Sequence, residues 1–287
     1  MFIGNSFTQG AHSAARNWRA GSVTDLNRAG YGGVPAMFKL FCEQAGLDYD
    51  VSLETQGGKS LGFHYDERRQ LFDRPWDVVV LQEFSTLDRK RPGDPADYLA
   101  NVGRLAALFR ARNPAVDIRL VAAWTRADQT WLPKGHWYGK PVSAMALDLR
   151  AAADSARRAH PGITGILPVG EAWNRAFAES VADPNPYDGI AFDQLDLWAY
   201  DHYHASVAEL LPVGARDFRR DHRRRSGQPW PGRKGCGRIG VVRCAGGRLA
   251  ENRSVRTGPD GAIETGPAQE MSKLDASPAK AMRRLTA

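Results

Sequence analysis

Residues 77–85 read DVVVLQEFS: Val78, Val79, Val80 and Leu81 stand between an aspartate and a polar tail. A short, β-branched apolar run with no helical spacing predicts a strand covered on both faces, and the residues behind it mark a loop. On that reading the strand is Asp77–Gln82. Met1–Gly4, Asp50–Glu54, Asp117–Trp124 (DIRLVAAW) and Gly165–Val169 (GILPV) repeat the pattern. Between them lie Val34–Ala45, Asp94–Ala111, Val142–Ala159 and Glu171–Val181, where apolar residues recur at intervals of three and four, as in Leu105, Leu108 and Phe109. These predict helices. Strands alternating with helices argue for an α/β fold, a parallel sheet flanked by helices. Ligands of such sheets bind beyond the carboxyl ends of the strands. The search for function therefore narrows to Asn5–Phe7, Thr55–Gly58, Gln82–Ser85 and Trp124–Arg126.

The chain has 287 residues, 43% hydrophobic and 25% charged, enough for one large domain with an appendage. No stretch approaches the ~18–20 apolar residues of a membrane helix, and no signal segment is visible at the N-terminus. Met1–Ile3 is short for a buried strand of ~5–6 residues, so an upstream start, with a secretory leader, is expected to be open. The sequence therefore leaves the compartment unknown. Cys42, Cys236 and Cys244 are too few for a disulfide framework or a four-cysteine zinc site, although the last two can pair in an oxidising compartment. The net charge of +7 is uneven: residues 1–208 hold 22 Lys and Arg against 24 Asp and Glu, and residues 209–287 hold 17 against 8. A boundary is expected near residue 209. The tail is basic, poor in large aliphatic residues and rich in Arg, Gly and Pro, which predicts disorder. The same composition fits a GC-rich gene read in a shifted frame. Its run at 219–225 (RRDHRRR) has neither a fold motif nor interleaved aromatics, so a solvated charge run is expected rather than a nucleic-acid site.

The first loop, Gly4–Asn5–Ser6–Phe7–Thr8, puts a serine directly after a strand. A serine there can present its hydroxyl at the sheet edge and its N–H to a developing oxyanion, and it can equally be a helix cap. A nucleophilic serine needs a base. Asp201–His202–Tyr203–His204 supplies one, with a carboxylate three residues before His204 to orient the imidazole. Ligation of a metal by His202 and His204 is the rival reading, weakened by the lack of a third His or Cys nearby. Glu54 and Glu83 end two strands and are candidates for a glycosidase carboxylate pair, but nothing in the sequence fixes their separation. Cys42 falls on an apolar helix face and is expected to be core. Gly30–Val34 (GYGGV) lacks the lysine of a phosphate loop and is expected to be a turn. Trp124, Trp131, Trp137 and Tyr138 follow the fourth strand among polar residues; flat rings with nearby hydrogen-bonding groups suit sugars, and some of them are expected to cover the sheet.

GNSFT near the N-terminus, a glycine loop after the second strand, LQEFS after the third and D-x-x-H at 201–204 together resemble the SGNH (GDSL-type) hydrolase superfamily. Within it the sequence is most similar to a divergent group with GNSF for GDSL and LQ-x-x-S for G-x-N-D. The resemblance covers roughly residues 1–208. It implies a three-layer α/β/α sandwich of flavodoxin-like type, with Ser6 as nucleophile, His204 as general base and Asp201 as its orienter. It further implies oxyanion donors from the N–H of Ser6 and of Gly57 or Gly58, with Asn5 beside them. The family's block-three asparagine has no match, and the Gln82 amide is the expected substitute. The activity implied is ester hydrolysis through an acyl-enzyme, on small-molecule or carbohydrate esters, which requires no metal or other cofactor. A catalytically silent binding protein on the same scaffold is the alternative.

Overall fold

The computed structural model describes residues 1–206. Six parallel strands form one sheet: β1 (Phe2–Gly4), β2 (Thr24–Asp25), β3 (Ser52–Thr55), β4 (Val78–Leu81), β5 (Asp117–Ala122) and β6 (Ile163–Pro168), in the order β2-β3-β1-β4-β5-β6. Every residue of β1 and β3 is buried. Successive side chains point to opposite faces, so unbroken burial means that both faces are covered, as the continuous apolar runs predict.

The helices are α1 (Ser6–Gln9), α2 (Gly33–Gln44), α3 (Leu61–Phe63), α4 (Arg69–Phe72), α5 (Ala96–Arg112), α6 (Ala127–Trp131), α7 (Ala144–Ala159) and α8 (Val169–Ala178). A turn of π-helix, His64–Arg68, joins α3 to α4. The buried residues of α7 (Met145, Ala146, Leu149, Ala152, Ala153, Ala156) fall on one stripe. Those of α5 do the same (Tyr98, Val102, Leu105, Ala106, Phe109), as the three-and-four spacing requires. Cys42 is fully buried on α2.

The sequence reading missed β2, whose two polar residues at the sheet edge carry no apolar signal. It also placed the last strand late: Ile163 and Thr164 open β6, and Val169 already belongs to α8. The segment after His204 is extended at Ala205. That residue bridges Trp198 in antiparallel fashion, and Ser206 N–H donates to Leu197 O at 2.8 Å. The expectations for residues 209–287 lie outside the described residues. No helix among the described residues is long and apolar enough to cross a membrane.

The chain leaving β1 runs toward β2 and β3, whereas the chain leaving β4 runs toward β5 and β6. The connections part at the carboxyl ends of β1 and β4, which is where an open α/β sheet forms its crevice. Ser6 stands there.

Candidate active site

Gly4 closes β1, and crowding explains it. A Cβ there would collide with Thr8 Oγ1 and lie 2.7 Å from Gln82 Oε1. Asn5 is the N-cap of α1: its Oδ1 accepts from Phe7 N–H at 3.2 Å. Its two amide hydrogens go to Lys59 O (3.1 Å) and Glu83 O (3.2 Å), so one side chain ties together the loops after β1, β3 and β4. Gln82 Oε1 accepts from Asn5 N–H (2.9 Å) and Thr8 Oγ1 (3.0 Å), while its amide donates to Glu83 O. Both amides were expected at the oxyanion. Asn5 has no hydrogen left to give, and Gln82, 3% exposed, is engaged in bracing the strand end. Ser6 itself is half-buried, and neither its N–H nor its Oγ makes a hydrogen bond among the described residues. The N–H groups of Gly57 and Gly58 are likewise without an acceptor there, and Gly58 holds a left-handed φ of 67° that favours glycine.

His204 is 1% exposed. Its Nδ1 lies 2.5 Å from Asp201 Oδ2, while Asp201 Oδ1 accepts the N–H groups of His204 (3.0 Å) and Tyr203 (3.2 Å). One carboxylate thus shapes the turn with one oxygen and orients the ring with the other. His204 Nε2 is buried with no partner among the described residues. Burial pushes the His204 imidazole below its ordinary pKa against the pull of Asp201, and His12 and Arg126 push the same way. Burial alone would raise Asp201, but the hydrogen bonds from His204 and Tyr203 outweigh it and hold the carboxyl low. The pair is therefore a neutral imidazole on an ionised carboxylate at neutral pH.

The segment around Ser6 meets His204 through its neighbours. The Phe7 ring stands edge-on to the His204 ring at 5.4 Å and stacks on Trp124 at 4.2 Å. Trp124 stacks on Trp173, which meets Trp198 edge-on. Trp124 Nε1 donates to Tyr203 O, Trp198 Nε1 to Thr125 O, and Ala127 N–H to His202 O, so the 198–205 segment is tethered to the end of β5. Arg126 adds a tie from there to the loop after β4, giving Nη1 to Ser85 Oγ at 3.0 Å while its guanidinium covers the Tyr203 ring.

The sequence reading missed His12. Its ring lies 4.5 Å from that of His204, its Nε2 3.8 Å from Asp201 Oδ2 and its Nδ1 2.5 Å from Tyr200 Oη. No spacing signal relates residues 188 positions apart. His12, Asp201 and His204 each offer a ligand atom within 4.8 Å of the others, so this trio, and not His202 with His204, has the geometry to hold a metal ion. His202 instead packs against Tyr187. Glu54 and Glu83 are held separately. Glu54 pairs with His64, both fully buried, whereas Glu83 accepts from Leu61 and Phe84 N–H, and burial pushes its pKa up to about 7. Of the aromatic cluster, Trp124 and Trp137 are core, while Trp131 (38%) and Tyr138 (54%) are exposed.

No family model matches the sequence, and no curated protein is significantly similar to it. Among the solved structures similar to it in fold are two with a TM-score of 0.50. One is a DUF4886 family protein from Bacteroides uniformis ATCC 8492, with 18% identity, a TM-score of 0.50, and coverage of 76% of this chain and 80% of that one. The other is a protein named as a GDSL-like lipase from Parabacteroides merdae ATCC 43184, with 17% identity, a TM-score of 0.50, and coverage of 75% of this chain and 91% of that one. A six-stranded parallel sheet with flanking helices and this likeness agree with the expectation drawn from GNSFT and D-x-x-H: the chain has the α/β/α fold of the SGNH (GDSL-type) hydrolases.

Proposed function

We propose that the protein is a serine ester hydrolase in which Ser6, His204 and Asp201 form the catalytic triad. The observation that carries the reading is the state of His204: Nδ1 is fixed on Asp201 while Nε2 is buried without a partner among the described residues. That is the arrangement a general base needs, with one nitrogen oriented and the other kept for the nucleophile. Ser6 Oγ attacks the ester carbonyl and His204 Nε2 takes its proton. The tetrahedral intermediate collapses to an acyl-enzyme as His204 returns the proton to the departing alcohol. Water, activated by the same ring, then releases the acid. The N–H groups of Ser6 and of Gly57 or Gly58 hold the oxyanion; Asn5 gives both amide hydrogens elsewhere, and Gln82 gives one of its two to Glu83 O. No step needs a metal or another cofactor. Exposed Trp131 and Tyr138, on the segment that follows β5, favour carbohydrate esters over long acyl chains.

The test is hydrolysis of 4-nitrophenyl acetate and of acetylated sugars by purified protein and by Ser6→Ala. Turnover that disappears in Ser6→Ala and survives a chelator supports the reading. Turnover unchanged in Ser6→Ala contradicts it, and turnover lost to the chelator moves the chemistry to a metal on His12, Asp201 and His204. A folded protein without turnover on any ester leaves the silent binding scaffold.

A further inference from the structure

A cavity of about 420 Å³ opens beside the Gly57 loop, lined by Gln9, Arg16, Asn27, Tyr31, Gly57 and Arg68 among others. That volume lies within the roughly 300–1,000 Å³ of small-ligand sites. It adjoins the proposed nucleophile: Gln9 is the last residue of the short helix that Ser6 opens, and Gly57 belongs to the expected oxyanion loop.

Its two arginines are the ones among the described residues whose Nε is buried without a hydrogen-bond partner. Arg112, Arg119, Arg126 and Arg150 each pair with a carboxylate within 3 Å. Arg16 and Arg68 have no carboxylate partner among the described residues. The Arg16 guanidinium donates to Tyr31 Oη at 2.5 Å and lies over that ring at 4.4 Å, and Arg68 meets only the Phe63 ring at 5.8 Å. The Nε of each is buried with no hydrogen-bond acceptor there. The nearby Asp25 and Glu54 form no ion pair with them among the described residues. Asp25 accepts the N–H groups of Asn27, Ala29 and Tyr31, and Glu54 is paired with His64 and Asn27. Two half-buried arginines, each with a buried Nε–H that has no acceptor, ask for an acceptor of opposite charge, and the planar fork of arginine matches a carboxylate or phosphate. Asn27 already gives both amide hydrogens, to Glu54 Oε1 and Thr55 O, and Gln9 gives one to Thr55 Oγ1, so the side-chain oxygens of the two and the second Gln9 hydrogen are what suit the hydroxyls of a sugar.

We propose that this cavity binds an oxyanion group carried by a sugar-sized ligand, and, resting on the reading of Ser6 as nucleophile, that the ester it hydrolyses is anionic. Arg16 and Arg68 hold the oxyanion, and the ester carbon extends from it past Gly57 toward Ser6.

The experiment is calorimetric titration of the full chain with glucuronate, glucose 6-phosphate and glucose. Saturable binding of glucuronate or glucose 6-phosphate, with glucose at least about tenfold weaker, is expected. The stronger of the two anions tells a carboxylate site from a phosphate site. Raising NaCl from about 50 to 500 mM should weaken the anion several-fold and leave glucose unchanged. Arg68→Gln and Arg16→Gln should each lose about tenfold or more in affinity for the anion, with Arg68→Lys intermediate and a melting curve recorded for each. Ser6→Ala should keep the binding. Equal binding of glucose and both anions, no binding of any, or anion affinity unchanged in folded Arg16→Gln and Arg68→Gln overturns the proposal. Binding in Ser6→Ala is independent of turnover. Anion binding without esterase activity upholds the cavity and removes the triad, whereas esterase activity without anion binding does the reverse.

Discussion

Members of a catalytic triad act as a unit, so on the proposed reading substitutions of Ser6, His204 and Asp201 should be strongly non-additive. His204→Ala is expected to lose nearly as much kcat on 4-nitrophenyl acetate as Ser6→Ala, Asp201→Asn less, and His202→Ala little. An essential His202 beside a dispensable His204 would contradict the assignment. The pH dependence has a definite sign. His204 must be neutral to take a proton, and burial lowers its pKa, so kcat/KM should rise along an acid limb whose midpoint lies below the ordinary histidine value. A limb centred above that value argues for another base. Asn5 is the sharpest structural case. Its amide hydrogens face two carbonyls, so Asn5→Asp, although it restores the GDS of the wider superfamily, sets a carboxylate against Lys59 O and Glu83 O. It should cost more stability than Asn5→Ala at pH 7, on the order of 2–4 kcal/mol in a denaturant titration. An Asn5→Asp protein as stable as the parent would show that the bonds are dispensable.

Among the elements, the loop after β4 carries a pH-sensitive joint. Glu83 fixes the start of α3 through Leu61 N–H, and burial raises its pKa to about 7. Between the ordinary glutamate range and pH 7 the folded chain therefore holds more protons here than the unfolded chain does. Stability from this group is greatest at the acid end of that window and falls as pH rises through it. Glu83→Gln should gain stability relative to the parent between pH 5 and 8, by up to about 3 kcal/mol, followed by urea unfolding. A pH-independent difference refutes this. The legibility of the elements follows the same physics. Val78–Leu81 was readable because a strand buried on both faces needs an apolar run, and Asp117–Ala122 because Ile118, Leu120, Val121 and Ala122 keep that character around one arginine, whereas Thr24–Asp25 forms an edge strand through backbone pairing alone. Ser6, Asp201 and His204 could be proposed from the sequence because each sits in a local motif. His12, Arg16 and Arg68 reach their sites only through tertiary folding, and the engagement of the Asn5 and Gln82 amides depends on loops more than 50 residues away.

Across the whole molecule, the rings of Phe7, Trp124, Trp173 and Trp198 join the loop after β1, the end of β5, α8 and the 198–205 segment. Trp173 is fully buried, so Trp173→Ala should cost about 3–5 kcal/mol and lower activity by loosening the His204 segment. Trp173→Phe should cost less, because it keeps an aromatic ring and removes an indole N–H with no acceptor among the described residues. Equal losses in the two variants would show that the stack does not carry the coupling. The central claim is that Ser6 is activated by His204 oriented on Asp201, and covalent labelling reads it directly. The full chain is treated with a fluorophosphonate, and the modified serine is located by peptide mass spectrometry. The account predicts one adduct, on Ser6, that is strongly reduced in folded His204→Ala. Labelling of a different serine, or of Ser6 equally well without His204, would contradict it.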